Sequence, residues 1–67
     1  PTVFNSADEA AVELFMQGKI SYLGISDAIA KAMSEIKNIE NPTISDIWET
    51  DKLAREIVYR LEKESLI

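Results

Sequence analysis

The chain has 67 residues, 46% of them hydrophobic and 28% charged, which is a globular composition on a length that suits one small domain. Its 12 acidic and 7 basic residues give a net charge of −5, which disfavours nucleic acid as a partner, and no apolar run is long enough to span a membrane. Cysteine and histidine are both absent, which excludes disulfides, thiolate metal sites and the commonest general base.

The first predicted helix covers about residues 6–17 and follows an extended lead-in over residues 1–5. Ser6 and Glu9 have the spacing of a capping box, in which each side chain bonds a backbone N–H that the helix leaves without a partner. Gly18 is expected to end this helix in the left-handed conformation. One face carries small apolar residues that allow a neighbouring helix to approach closely: Ala7, Ala10, Ala11, Leu14 and Phe15.

The second helix is predicted over about residues 25–37, with Gly24 favoured over Ser26 as its N-cap. Its apolar residues have the most regular helical spacing in the chain: Ile25, Ala28, Ile29, Ala32, Met33 and Ile36. Residues 38–42 are expected to form a short loop, because the proline that ends this stretch disfavours helix at the residue before it. Tyr22, in the connector before the helix, has no assigned role.

The third predicted helix is the longest and runs from about residue 44 to 64. Thr43 is expected to cap it and to form a capping box with Asp46. The apolar positions assigned to the core are Ile44, Ile47, Trp48, Ala54, Ile57, Val58 and Leu61. Trp48 is included because a helical aromatic one turn from another apolar residue more often packs than binds a ligand. Three amphipathic stripes with short links predict a compact all-α bundle of three main helices without a sheet. The prediction allows one short additional helical turn outside these helices.

Asp51 and Arg55 are the polar pair that we expect to matter most. They lie one turn apart on the third helix, at a spacing that brings opposite charges together. Because Asp51 lies beside the core stripe, we expect the pair to be partly buried, so that removal of one partner leaves the other charge uncompensated. Lys52 lies on the solvent side of the same helix and is the natural control.

No arrangement of polar residues in this sequence indicates a catalytic, metal or cofactor site. The densest carboxylates, Asp46, Glu49 and Asp51, point in different directions on one helix, and we assign them to the solvated surface. Calcium-binding and phosphate-binding loops need glycine spacings that this chain lacks. Acyl carrier proteins modify the serine of an Asp-Ser-Leu motif, whereas Ser26 lies in Ile-Ser-Asp, so that function is rejected.

Several motifs, taken in order, resemble the C-terminal helical domain of the 1-deoxy-D-xylulose 5-phosphate (DXP) reductoisomerases, enzymes of non-mevalonate isoprenoid synthesis. The family's Asn-Ala-Ala-Asn-Glu-Val-Ala-Val is similar to NSADEAAV at residues 5–12. Its Gly-Lys-Ile-Ser-Phe corresponds to GKISY at residues 18–22, and its Asp-x-x-Ala-Arg to DKLAR at residues 51–55. The departures at Ser6, Asp8 and Gly24 keep residue types that suit helix caps.

The resemblance implies a structural domain that braces the preceding domains of the same chain. In this family NADPH binds an N-terminal Rossmann domain, and a divalent metal, Mg or Mn, binds the central domain with the sugar phosphate. The resemblance therefore implies no catalytic, cofactor-binding or metal residue in this segment, and a parent that is a homodimer of the bacterial cytoplasm. The start at Pro-Thr-Val-Phe rather than Met also leads us to expect a piece of a longer polypeptide.

One alternative function stays open at this point. Leu53 lies off the apolar stripe of the third helix, so either the helix is covered on a second side or Leu53 faces a partner. In the second case the chain would be an independent acidic helical module for protein–protein interaction. An upstream reading frame that continues into a dinucleotide-binding domain would distinguish the scaffold from such a module.

Overall fold

The computed structural model describes residues 2–67, and these residues form three α-helices and no strand. Helix α1 spans Thr2–Met16, α2 spans Tyr22–Glu35 and α3 spans Ile44–Lys63. The bundle is elongated and measures 36 × 18 × 16 Å along its principal axes. The predicted all-α bundle of three helices is confirmed. Within the described range, no helix has the length and apolarity needed to cross a bilayer.

Helix α1 packs against both other helices and runs parallel to α3. Ser6 of α1 donates a hydrogen bond to Asp51 of α3, and two turns further on Glu13 of α1 accepts one from Tyr59 of α3. Residue i of α1 therefore lies level with residue i + 45 or i + 46 of α3. Helix α2 is antiparallel to both, and its contact with α3 is the smallest of the three interfaces.

The core lies along α1 and is built largely from small residues. Alanines exposed by 1% or less let the helix backbones approach closely, and Val58 is the largest side chain that is buried completely. The buried hydrophobic residues are Ala7, Ala10, Ala11, Leu14, Ile20, Ala28, Ala32, Ala54, Ile57, Val58 and Leu61. The small apolar face predicted for α1 therefore does pack against its neighbours. Met33 shares the regular helical spacing of the apolar residues on α2, but it is 48% exposed and lies outside this core.

Helix α1 begins four residues earlier than predicted, and Ser6 does not cap it. Residues 2–5 are already helical, so Ser6 lies in the second turn, where it is buried and directed at α3. Glu9 also bonds to α3 rather than to the start of its own helix. The predicted capping box is wrong because the same spacing of three residues also places two side chains on one face of a helix interior. The first residue of the predicted lead-in, Pro1, lies outside the described residues.

Gly18 ends α1 as predicted. Its φ of +74° lies in the left-handed region, and its N–H donates to the carbonyl of Phe15. The N–H of Lys19 donates to the carbonyl of Leu14, which completes the two-bond arrangement of a Schellman motif. The chain thereby reverses direction and enters α2 within a few residues.

Helix α2 begins earlier than predicted, because Ser21 and not Gly24 is its N-cap. The side chain of Ser21 accepts a hydrogen bond from the N–H of Gly24 at 3.1 Å. A serine hydroxyl supplies the acceptor that a cap needs, whereas glycine has no side chain to supply one. Ser26, the other candidate, lies inside the helix and donates to the carbonyl of Leu23.

The capping box predicted at the start of α3 is present. The Oγ1 of Thr43 accepts from the N–H of Asp46 at 3.0 Å, and the Asp46 carboxylate accepts from the N–H of Thr43 at 2.9 Å. The connection that leads to it covers residues 36–43 and includes Asn41 at a φ of +49°. Asparagine tolerates this left-handed conformation better than most residues.

The first half of α3 is not part of the core, in contrast to the prediction. Ile44 is 78% exposed, Trp48 is 75% exposed and Ile47 is 41% exposed. Ile44 lies beyond the level at which α1 begins, so the described residues place no neighbouring helix against it. The assignment of Trp48 to the core is therefore wrong, whereas the apolar positions from Ala54 onward are buried as predicted.

The C-terminal end of α3 repeats the geometry of the end of α1 with a serine in place of the glycine. Ser65 has a φ of +59°, and the N–H of Leu66 donates to the carbonyl of Leu61. A residue with a Cβ strains the backbone in this region by about 1–2 kcal/mol. We expect Ser65→Gly to raise the free energy of unfolding by about 0.5–1 kcal/mol, since the more flexible unfolded chain offsets part of the relief.

Urea denaturation of this variant beside Gly18→Ala checks the expectation. A Cβ at Gly18 meets no atom within 4 Å, so this substitution isolates the backbone strain and should lower the free energy of unfolding by about 1 kcal/mol. A Ser65→Gly midpoint at or below that of the starting protein contradicts the assignment of strain to this residue.

Candidate functional site

Four polar side chains connect α1 to α3, and they form the most extensive polar contact among the described residues. Ser6 donates to Oδ1 of Asp51 at 2.5 Å. Nε of Arg55 donates to the same oxygen at 3.0 Å. Nη2 of Arg55 donates to Oε1 of Glu9 at 2.7 Å. We call these four residues, Ser6, Glu9, Asp51 and Arg55, the α1–α3 network.

Helical periodicity explains why each pair of side chains points the same way. Ser6 and Glu9 are three residues apart on α1, and Asp51 and Arg55 are four residues apart on α3. Residues at these two spacings lie on one face of a helix. Because α1 and α3 are parallel, Ser6 meets Asp51 and, one turn further on, Glu9 meets Arg55.

Ser6 is the buried end of the network and Glu9 is its exposed end. Ser6 is only 4% exposed, whereas the side chain of Glu9 is 68% exposed. The Glu9–Arg55 ion pair is therefore worth a few tenths to about 1 kcal/mol, as is usual at a surface. The bond from Ser6 matters more, because a buried hydroxyl without a partner costs about 1–3 kcal/mol.

The network lowers the pKa of Asp51 below its ordinary value of 3.8. The hydrogen bond from Ser6 is the largest cause and that from Arg55 the second, and they outweigh the opposing effect of desolvation. The pKa of Arg55 is raised by its hydrogen bonds to Glu9 and then to Asp51. Both shifts favour the charged forms that the geometry requires.

Two further polar contacts extend the connection between helices. The hydroxyl of Tyr59 donates to Oε1 of Glu13 at 2.8 Å, one turn beyond the network on α3. This hydrogen bond, followed by burial, raises the pKa of Tyr59 above 10.0. On the other side of α3, Nη2 of Arg60 lies 2.8 Å from Oε2 of Glu35 and joins α3 to α2.

The arrangement holds helices together and offers little for chemistry. Among residues 2–67 there is no group of three or more acidic residues placed to hold a metal ion. The same part of the chain has no buried side-chain nitrogen or oxygen without a hydrogen bond. The ionised groups of the network are also paired with one another, so none of them is an isolated acid, base or nucleophile.

The sequence-predicted structural residues fall into two groups. Four of them meet in the α1–α3 network, although Ser6 and Glu9 were expected to form a capping box at the start of α1. Gly18 and Thr43 lie at helix ends, and Trp48 lies on the surface. The bonds from α1 to α3 were not predicted, since they join residues 45 or 46 positions apart. The sequence did contain one signal for these bonds. If the first helix begins before Ser6, then Ser6 and Glu9 lie on one face of it and can both contact a neighbouring helix.

Comparison with known families decides where this chain belongs. The profile of the DXP reductoisomerase C-terminal domain matches residues 1–57, which include all four residues of the α1–α3 network. The chain belongs to the DXP reductoisomerase C-terminal domain family. The resemblance inferred from its motifs is therefore confirmed. No solved structure was found to match the chain.

Curated relatives of this DXP reductoisomerase domain agree with the family match. The chain is 44% identical over 63 residues to the 1-deoxy-D-xylulose 5-phosphate reductoisomerase of Halalkalibacterium halodurans, covering 94% of the chain and 16% of that enzyme. It is 48% identical over 58 residues to the enzyme of Caldanaerobacter subterraneus subsp. tengcongensis, covering 87% of the chain and 15% of the relative. The Leptospira interrogans enzyme is 43% identical, with 100% of the chain and 17% of the relative covered. The chain thus spans about one sixth of the length of these relatives.

Arg55 is the residue whose removal should disturb the network most directly. Its side chain forms ion pairs with the carboxylates of Glu9 and Asp51, and it is 34% exposed, so water weakens both pairs. Arg55→Ala is therefore expected to lower the free energy of unfolding by about 1 kcal/mol. Lys52→Ala should have almost no effect, since within the described residues Lys52 is exposed and makes no ion pair. Urea denaturation measures both.

Arg55→Met separates the charge from the packing of the side-chain stem. If the network is electrostatic, this variant loses most of the stability that Arg55→Ala loses. Equal midpoints for Arg55→Ala and Lys52→Ala would show that the pair contributes nothing.

Acid should remove the contribution of Asp51. Because the pKa of this group is lower in the folded chain than its ordinary 3.8, its stabilisation is complete above that pH and is lost as the pH falls through the folded value. Asp51→Asn cannot ionise, so we expect it to be less stable at pH 7 by about 1 kcal/mol, with the difference shrinking below pH 3.8. Unfolding midpoints measured over this range check the expectation, and a difference that stays constant with pH would contradict it.

Proposed function

We propose that this chain is the non-catalytic structural C-terminal domain of a DXP reductoisomerase. The parent enzyme uses NADPH and a divalent metal, Mg or Mn, to convert 1-deoxy-D-xylulose 5-phosphate into 2-C-methyl-D-erythritol 4-phosphate. The observation that carries the proposal is the family match over residues 1–57. The relatives that share this segment are about six times as long, which leaves ample chain for the catalytic part.

The side chains of this segment support a structural role in that enzyme. Among residues 2–67 no three carboxylates are grouped so that they could hold a metal ion, and the sequence lacks the glycine spacing of a dinucleotide-binding loop. The residues present therefore fit neither the metal nor NADPH, and no step of the reaction is derived through them. What the segment offers instead is a small bundle whose first and third helices are fixed to each other by the α1–α3 network.

The proposal extends to the setting of the parent protein. Within it, the domain braces the preceding NADPH-binding and catalytic domains of the same chain, in a homodimeric enzyme of the bacterial cytoplasm. The alternative, an independent interaction module, has less support: Leu53 is 47% exposed, but so are several other apolar residues of this small bundle. The family match favours the scaffold.

An enzyme assay on two proteins tests the proposed function. The complete product of the gene should oxidise NADPH when DXP and Mg²⁺ or Mn²⁺ are supplied. The 67-residue chain alone should show no turnover under the same conditions. Turnover by the 67-residue chain would overturn the non-catalytic assignment, and a complete gene product without this activity would overturn the assignment to the pathway.

Substitution of Arg55 in the complete enzyme separates bracing from catalysis. If the network only supports the fold, Arg55→Ala should lower the midpoint of thermal unfolding while KM for NADPH and for DXP stays unchanged. The matched control is Lys52→Ala, which should change neither quantity. A raised KM with an unchanged unfolding midpoint would show that Arg55 acts on substrate or cofactor binding.

A further inference from the structure

The first half of α3 presents an apolar surface that nothing in the described residues covers. Ile44 and Trp48 lie four residues apart, on one side of the helix, and are 78% and 75% exposed. We call these two residues the α3 apolar face. Large side chains exposed to this extent and adjacent to each other mark surfaces that meet another part of a protein.

The register of α1 against α3 indicates which part of the chain passes this face. Residue i of α1 lies level with residue i + 45 or i + 46 of α3. Thr2 is therefore level with Ile47 and Trp48, and it lines the same surface cleft as these two residues. Continued upstream, the same register places Ile44 two or three positions before the first residue of this chain.

We propose that in the full-length reductoisomerase the α3 apolar face is covered by the segment of the same chain that directly precedes Pro1. This inference rests on the proposed function. The matched family is described as a C-terminal domain, and the relatives are about six times longer than this chain. In such a protein, the chain that precedes the domain would enter it beside Thr2. At that point it lies beside Trp48. Apolar residues in that segment would pack against Ile44 and Trp48, which α1 leaves exposed.

A second exposed apolar group lies at the opposite end of α1 and supplies a control. It consists of Met16 at the end of α1 and Tyr22 and Leu23 at the start of α2, which are 73–77% exposed. No feature of the register brings upstream chain to these residues. Leu23 and Ile44 are almost equally exposed, at 77% and 78%, so they form a matched pair.

Thiol reactivity in the complete enzyme tests the proposal. This segment has no cysteine, so Ile44→Cys and Leu23→Cys each introduce one new thiol into it. The rate of maleimide modification is measured in the native enzyme and again in urea, with the unsubstituted enzyme as the background. We expect native protection of at least tenfold at position 44 and little protection at position 23. Trp48→Cys provides a second reading of the same face.

Each outcome has a distinct meaning. A native rate at position 44 close to its rate in urea, in an enzyme that retains reductoisomerase activity, would overturn this inference and leave the proposed function intact. Protection at position 44 that weakens on dilution would assign the face to a second copy of the chain and would also overturn the inference. A complete gene product without reductoisomerase activity would instead refute the proposed function on which the inference rests.

Discussion

The hydrogen bond from Ser6 to Asp51 determines how α1 lies along α3. Ser6 is buried inside the helix interface, so its hydroxyl needs a partner there, and Asp51 supplies one that is charged. A hydrogen bond to a charged group contributes about 1.5–3 kcal/mol, which is a large share of the stability of a domain this small. A slip of one turn would separate Ser6 from Asp51 and also Glu9 from Arg55.

The alanine-rich core makes this polar contact necessary. Ala7, Ala10 and Ala11 allow α1 to approach its neighbours closely, but the hydrophobic contact that they make is non-directional and does not by itself select one register. The network adds directional bonds at positions where only one alignment satisfies them. Close approach thus comes from the alanines and alignment from the polar residues. The exposure of Ile44 follows from the same alignment, because it leaves the first turn of α3 beyond the start of α1.

The features that the sequence predicted correctly depend on nearby residues. The capping box of Thr43 and the left-handed turn at Gly18 are local, since each is decided by backbone geometry within a few positions. Ser6 shows the limit of such patterns, because its spacing to Glu9 fits both a cap and a face that contacts another helix. Trp48 shows another: periodicity identifies the side of a helix, but the burial of that side depends on where the neighbouring helices begin and end.

A double-mutant cycle between Ser6→Ala and Asp51→Ala tests most directly whether this bond fixes α1 on α3. The free energy of unfolding is measured for the starting protein, for both single variants and for the double variant. We predict a coupling energy of at least about 1 kcal/mol, because each substitution removes the same hydrogen bond. Additive effects, with a coupling within about 0.3 kcal/mol of zero, would show that Ser6 and Asp51 act independently and that the register is set by packing alone.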